Sequence, residues 1–425
     1  MKLSVKILII CSFLLFPVRI FAGELPPGNA SGWTKGIPAS YFQESKKPGR
    51  VERITYSSKD YAGNNAPVEK VANVYLPAGY DSSGAATRFD VFYMMHGWSG
   101  TADELFGYGG GQAKRLLDNM IEKGDMRPLI VVAPTFDAEN KPQEFDRAVT
   151  EVKLFHRDLL ENLMPAVEGR YRTYAPLPTK EGFAASRDHR GFGGFSMGSV
   201  TTWEQFIQNS DYISYFLPMS SACWHYGGYG AGNPKDNTDL FVKTVSEKGL
   251  NTRGYFIYAC TGTHDTLRYE MDAQMNEMFS RKTVFTPEHV VYYLKNGGMH
   301  DNNAALEYLY NGLPLFFNET AAPEFYDIYS NFEKHKDPSK NETGLYLFRT
   351  LKSPSPGNVL LTAMGDAKSA FPKARELTRQ GYNVYLPVIR GDKKAAEDSM
   401  RAEAFISDNA EYLGTGPVTV RLSNE

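Results

Sequence analysis

The sequence predicts an α/β protein: a three-layer sandwich with a mostly parallel central sheet, followed by a small C-terminal α/β domain. Three observations predict it. Strand-like apolar runs recur along the chain with helical patterns between them, an order that builds parallel strands joined by crossover helices. Several of these runs, 89–95 and 129–133 among them, lack alternation, as strands covered on both faces do. The 425 residues exceed the size at which one core stops growing, so a large domain with a smaller appendage is expected. A composition 42% hydrophobic and 13% aromatic supplies the core and argues against a largely disordered chain.

The first 22 residues carry Lys2 and Lys6, an apolar run over 7–17 broken by Ser12, and Ile20-Phe21-Ala22 before Gly23. This pattern reads as a signal peptide, 1–22, cleaved after Ala22, and predicts a secreted protein, extracellular or periplasmic. A membrane anchor is the rival reading, but the run is too short to span a bilayer and is closed by Arg19. Cys11 lies within the run, without the small-residue setting of a lipid-modified cysteine. Losing Lys2, Lys6 and Arg19 takes the formal net charge from −3 to −6, which gives no electrostatic reason to bind nucleic acid or an anionic membrane. Cys223 and Cys260 then remain. A single bridge between them is compatible with the spacing, and two buried free thiols are the simpler expectation.

Residues 23–50, rich in Gly, Pro and Ser, read as an irregular leader over the surface. Segments 51–57 and 68–76 follow as two antiparallel strands. The alternating series then runs as strand 89–95, helix 113–123, strand 129–133, a long amphipathic helix 148–171, strand 190–195, a helix from Ser196 to about Asn209, and strands 215–219, 254–260 and 289–294, with a helix over 267–281. Ligands in such sheets sit beyond the carboxyl ends of the strands. Functional residues are therefore expected just after strands.

Mixed charge with Pro323 and Pro338 makes 318–344 a linker or surface excursion, which divides the chain into 23–323 and 324–425. The tail shows strands at 345–349, 359–363 and 384–389 and helices near 368–379 and 394–413, a small α/β unit. Met364-Gly365-Asp366 follows a strand there, but no glycine-rich phosphate fingerprint accompanies it. No cofactor is assigned to it.

The chemistry concentrates in Gly194-Phe195-Ser196-Met197-Gly198. Glycines on both sides of the serine permit a tight strand-to-helix turn that lifts the hydroxyl above the sheet, the nucleophile elbow of the α/β-hydrolase fold. A strand pattern precedes the motif and a helix pattern follows it. Serine needs a base to take its proton. Of the six histidines after residue 180, His189 precedes the serine, His225 follows an earlier strand, His264 adjoins a better acid, His289 starts a strand and His335 lies in the charged linker. His300, on Asn296-Gly297-Gly298-Met299-His300-Asp301 after the last strand of the sheet, completes the order serine, acid, histidine. Asp265 is the acid, at the end of Thr261-Gly262-Thr263-His264 after the preceding strand. Glu270 and Asp272 fall on the next helix, and Asp301 adjoins the histidine too closely to orient it. The oxyanion requires two backbone N–H donors, expected from Met197 and from Trp98 in His96-Gly97-Trp98-Ser99-Gly100. His96 reads as a structural hydrogen-bonding residue.

Further motifs fall in order around these: Val74-Tyr75-Leu76-Pro77-Ala78-Gly79-Tyr80, Met95-His96-Gly97, Asn119-Met120-Ile121, Arg127-Pro128-Leu129-Ile130-Val131-Val132-Ala133-Pro134, Thr261-Gly262-Thr263-His264-Asp265 and Gly297-Gly298-Met299-His300-Asp301. Read together, over roughly 50–317, the chain resembles the family 1 carbohydrate esterases, the feruloyl and acetylxylan esterase group that includes esterase modules attached to xylanases. The resemblance implies hydrolysis of feruloyl or acetyl esters on plant cell-wall polysaccharide such as xylan, or on its feruloylated or acetylated oligosaccharides, with no metal and no cofactor. Trp98, Trp224 and Tyr226 fall in strand-end loops, placed to stack on a sugar or phenolic ring or to pack. Ser199 and Val200 depart from the glycines that relatives often carry after the elbow. The tail from about 324 lies outside the resemblance. Two other readings share the scaffold: an acyltransferase or small-ester or thioester hydrolase, and a binding protein with a dead hydrolase fold.

Overall fold

The structure, a computed structural model, describes residues 29–107, 111–229, 233–286 and 289–317, and in the C-terminal part 326–330, 333–334, 344–348, 357–363, 367–380, 382–389, 394–413 and 417–424. The segment 1–22 read as a signal peptide, the boundary expected at 323 and Met364-Gly365-Asp366 lie outside the described residues. No helix among the described residues is long and apolar enough to cross a membrane.

The first sheet contains β1 Gly32–Trp33, β2 Arg50–Lys59, β3 Pro67–Leu76, β4 Asp90–Met95, β5 Leu129–Pro134, β6 Arg190–Phe195, β7 Tyr215–Met219, β8 Phe256–Gly262 and β9 Val290–Lys295. Their spatial order is β1-β9-β8-β7-β6-β4-β5-β3-β2. β2 and β3 pair antiparallel, as do β3 and β5, and the remaining neighbours are parallel. The alternation missing from the 89–95 run has a direct cause. Val91, Tyr93 and Met95 enter one core while Phe92 and Met94 enter the core on the opposite face. Helices Phe145–Asp158, Met197–Asn209, Pro234–Glu247 and Arg268–Ser280 contribute to the first core, and Gln112–Glu122 and Asn302–Gly312 to the second. This is the three-layer arrangement expected.

The long helix expected over 148–171 is interrupted. It begins at Phe145, passes through a π-turn at Leu159–Leu163 and resumes at Met164–Glu168. Pro165 has no N–H and crowds the preceding turn, so a wider turn ahead of it removes the conflict. The segment read as an irregular leader also holds structure: β1 adds to the sheet edge beside β9, and Asn119 Nδ2 donates to the carbonyls of Tyr41 and Gln43. Helices Pro234–Glu247 and Asn302–Gly312 were not expected from the sequence pattern.

A second sheet contains β10 Tyr326–Ser330, β11 Glu333–Lys334, β12 Gly344–Phe348, β13 Asn358–Ala363, β14 Asn383–Val388 and β15 Val420–Asn424, ordered β11-β10-β12-β14-β13-β15. β13 pairs parallel with β14 and β15, and the other pairs are antiparallel. Tyr346, Phe348 and Leu361 pack with Phe371 and Leu377 on one face, while Leu345, Leu347 and Tyr385 pack with Ile406 and Leu413 on the other. β10 and β11 fall within the segment read as a linker, so that segment is partly a strand pair of the second unit.

β6 lies centrally, between β4 and β7, and a buried ion pair anchors its start. Arg190 Nε and Nη2 donate to Glu168 Oε1 and Oε2, each at 2.7 Å. Tyr93 and Thr173 hydroxyls donate to the same carboxylate, and Arg190 Nη1 donates to the Tyr212 carbonyl at 2.6 Å. Removing one partner leaves the other charge buried and unpaired. Glu168→Ala is therefore expected to lower unfolding stability by about 3–5 kcal/mol, read as a shift of the urea midpoint at constant slope.

Candidate active site

Ser196 sits at the end of β6 with φ 58° and ψ −118°, a strained conformation for a residue with a side chain. Close approach on both sides explains the flanking glycines. A Cβ on Gly194 would lie 2.3 Å from the Gly198 carbonyl oxygen, and one on Gly198 would lie 2.4 Å from the Met95 carbonyl oxygen. Helix Met197–Asn209 starts at the next residue, and the first N–H groups of a helix have no intrahelical acceptor. Ser199 is buried and its hydroxyl donates to the Ser221 carbonyl at 2.6 Å. It ties the elbow helix to the loop after β7, a bond that glycine would not make.

Three strand ends meet at the hydroxyl. Ser196 Oγ lies 2.9 Å from His300 Nε2, on the loop after β9. His300 Nδ1 lies 3.0 and 3.1 Å from the two oxygens of Asp265, on the loop after β8. The Asp265 side chain is fully buried, and the Leu267 N–H donates to its Oδ1 at 2.8 Å. Two hydrogen bonds lock these loops together: His264 N–H donates to the Gly298 carbonyl at 2.9 Å, and Gly297 N–H to the Thr263 hydroxyl oxygen at 2.8 Å. The imidazole also rests against Phe195, ring centres 4.6 Å apart.

The rejected acids are engaged elsewhere. Glu270 accepts from the Ser221 hydroxyl at 2.5 Å and from Trp224 Nε1 at 3.3 Å. Asp272 accepts from the Tyr292 hydroxyl and Arg268. Asp301 caps helix Asn302–Gly312 by accepting from Ala304 N–H.

The loop after β4 closes over the serine. A Cβ on Gly97 would lie 3.2 Å from Ser196 Cβ, and Ser99 has φ 64°. His96 is buried beneath this loop, with Nδ1 2.7 Å from the Gly97 carbonyl and Nε2 2.8 Å from Thr135 Oγ1. Burial pushes its pKa down to about 4, so the ring is neutral.

The aromatic residues divide. Trp98 is 48% exposed, its Nε1 donates to the Gln143 carbonyl and its ring meets Phe145 edge-on. Tyr226 is 46% exposed. Trp224 is 1% exposed, with Tyr229 edge-on against its ring. The stacking position expected of Trp224 is thus corrected: it is covered, and packs. Tyr229, which the sequence pattern did not single out, is 60% exposed and completes an edge-to-face row Trp98, Phe145, Tyr229. A mainly apolar cavity bordered by Gly97, Phe195, Leu105 and Leu306 lies against the loop after β4. Cys223 and Cys260 are buried free thiols, held protonated by burial.

Comparison with known proteins gives the family. The family model described as "Putative esterase" matches residues 67–307, more than half of the chain. The chain belongs to this esterase family. It is 34% identical over 287 residues to endo-1,4-beta-xylanase Y of Acetivibrio thermocellus, covering 66% of this chain and 24% of that protein. It is 27% identical over 201 residues to an endo-1,4-beta-xylanase/feruloyl esterase of Xylanibacter ruminicola, covering 45% of this chain and 25% of that one. The esterase chain thus spans about a quarter of the length of the curated relatives it matches. Among solved structures it resembles a serine-to-alanine mutant of the feruloyl esterase module from Clostridium thermocellum complexed with sinapinate. The two share 30% identity and a TM-score of 0.58, over 74% of this chain and 99% of that one. The likeness to family 1 carbohydrate esterases, first seen in the motifs, holds in fold as well.

The buried acceptor facing His300 Nδ1 favours the tautomer that leaves Nε2 as an acceptor toward the Ser196 hydroxyl. Asp265→Asn preserves shape but offers a donor there. We expect kcat to fall by about 10³–10⁴-fold with a small change in KM, measured by steady-state hydrolysis of an aryl ester.

Proposed function

We propose that the chain is a secreted serine esterase that hydrolyses acyl substituents, feruloyl or acetyl, on plant cell-wall polysaccharide such as xylan. The observation that carries the reading is the unbroken hydrogen-bonded path Ser196, His300, Asp265 assembled from three strand ends. The likeness to proteins named as xylanases and feruloyl esterases supports the substrate class.

In this mechanism the Ser196 oxygen attacks the ester carbonyl as its proton passes to His300 Nε2. The imidazolium is stabilised by the Asp265 carboxylate. The oxyanion of the tetrahedral intermediate takes backbone N–H donors from Met197 and Trp98, which need no reorganisation as the charge develops. Collapse breaks the bond to the sugar oxygen, which leaves with the proton from His300. The acyl group is then held as an ester of Ser196. Water, deprotonated by His300, attacks that ester, and the proton returns to the serine oxygen as the carboxylic acid is released.

Trp98, Tyr226 and Tyr229 form the exposed aromatic rim available to sugar or phenolic rings. The domain division near 323 belongs to the same reading and rests on the two separate sheets and their separate cores.

Two measurements test this. Ser196→Ala is expected to lower kcat on an aryl ester by about 10⁴-fold or more; equal activity of the two proteins would remove the serine from the mechanism, and dominant acyl transfer to a sugar acceptor would replace hydrolysis by transferase chemistry. Trp98→Ala and Tyr229→Ala are expected to raise KM for a feruloylated oligosaccharide by about 3–10-fold while leaving KM for the matching methyl ester little changed.

A further inference from the structure

Beneath the loop after β4 lies a cluster of buried ionisable groups that the serine chemistry does not use. Asp137 follows β5 and is 1% exposed, and Glu151, on helix Phe145–Asp158, is 5% exposed. The two carboxyl groups are close enough to influence each other. Among the described residues neither Asp137 Oδ1 nor Glu151 Oε2 has a donor. Around them stand Lys70 on β3, paired with Asp158 at 2.8 Å, and Arg147, which donates to Glu151 Oε1 at 3.0 Å and to Asp60 at 2.6 Å. Thr135 Oγ1 accepts from the Asp137 N–H at 3.1 Å, and lies 3.1 Å from Asp137 Oδ2 and 2.8 Å from His96 Nε2.

Counting hydrogens along this path decides its state. His96 Nδ1 faces a carbonyl, so it carries the ring proton. Nε2 is then an acceptor and takes the Thr135 hydroxyl proton. The Thr135 oxygen, which also accepts from the Asp137 N–H, has no hydrogen left for Asp137 Oδ2, and an ionised Asp137 carboxylate has none to give. The approach of Asp137 Oδ2 to Thr135 Oγ1 then requires a proton on Asp137, and a proton on Glu151 would satisfy the remaining Asp137 oxygen. The charges give the same answer. With both acids ionised, the cations Lys70 and Arg147 face the four carboxylates of Asp60, Asp137, Glu151 and Asp158, and a buried excess of negative charge is costly.

We propose that Asp137 and Glu151 are positioning residues that act as neutral acids: Glu151 donates to Asp137, Asp137 to Thr135 and Thr135 to His96, whose Nδ1–H holds the Gly97 carbonyl and with it the oxyanion loop. The inference rests on the reading of Met197 and Trp98 as oxyanion donors. Burial, the largest influence on each, pushes the pKa of Asp137 up to about 6 and that of Glu151 up to about 7. Both acids bind their protons more tightly in the folded protein than in the unfolded chain. Their contribution to stability is therefore complete in acid and is lost as pH rises through about 6 to 7. Ionisation leaves acceptor facing acceptor, releases the relay and lowers kcat.

The test compares kcat–pH profiles of the full chain on an aryl ester. Asp137→Asn places a permanent donor against Thr135 and an acceptor against Glu151. It is expected to keep kcat within about threefold of wild type in mild acid and to remove the decline of kcat as pH rises. Asp137→Ala is expected to lower kcat by about tenfold or more with little change in KM. A decline in Asp137→Asn matching that of wild type, or an unchanged kcat in Asp137→Ala, overturns the proposal. Infrared difference spectra need no turnover. Wild type at pH 6 should show a protonated carboxylic acid band that Asp137→Asn and Glu151→Gln each diminish. Its absence overturns the relay even in an active esterase, and its presence in a protein without esterase activity places the failure in the proposed function instead.

Discussion

Everything at the site depends on one tight turn, in which Ser196 is held at positive φ between a strand and a helix. Such a conformation costs on the order of 1–3 kcal/mol and persists only where its surroundings leave no alternative. Those surroundings are backbone. Gly194 and Gly198 approach each other, and Gly198 approaches Met95, more closely than any Cβ allows. β6 is flanked by β4 and β7 in continuous parallel register, and its first residue is pinned by the Glu168 carboxylate. Strain at the end of the strand cannot relax by sliding the strand. The same turn that lifts the hydroxyl also begins helix Met197–Asn209, so the proposed nucleophile and the proposed oxyanion donor Met197 share a single structural cause.

The remaining groups are positioned by links between loops rather than by the loops' own stiffness. His300 sits on a segment with two glycines, yet its neighbours Gly297 and Gly298 are bonded to Thr263 and His264, two residues and one residue ahead of Asp265. Acid and base therefore move as one unit. Glu104, which opens the short helix Glu104–Gly107 after β4, accepts from Asn302 just beyond His300, which ties the segment after β4 to the histidine loop. Preorganisation of this kind keeps reorganisation cost out of the reaction step.

Much of this was legible in the sequence, for a topological reason. In a parallel sheet every strand end faces the same side, so residues that follow strands converge whatever their separation in the chain. Ser196, Asp265 and His300 could be chosen by that rule before any distance was known, and the alternatives Glu270, Asp272 and Asp301 were excluded by position. What the rule does not carry is which way a side chain turns within a loop. Trp224 and Tyr229 lie on the same loop after β7, but Glu270, 46 residues further on, draws the Trp224 indole inward. Its neighbour is left outside. Helix Asn302–Gly312 was missed because its buried face mixes Ala304, Leu306, Tyr308 and Leu309 with Glu307, a pattern that gives weak periodicity.

The buried acids show the same limit more sharply. Asp137 and Glu151 are ordinary residues in sequence, one on a loop and one on a helix, where a charged side chain normally reads as solvated surface. Their environment is created by packing: helix Phe145–Asp158 lies on the sheet face that holds Val132 and Phe136 in the core, which brings Glu151 to the end of β5. Once there, the groups cannot all be ionised, and hydrogen-bond direction along Thr135 and His96 follows from the carbonyl of Gly97. A glycine-bearing loop that must stay fixed over the serine needs support from below, since its own backbone supplies little. The proposed path of buried donors supplies it, and the rigidity of the loop after β4 then depends on residues buried beneath it.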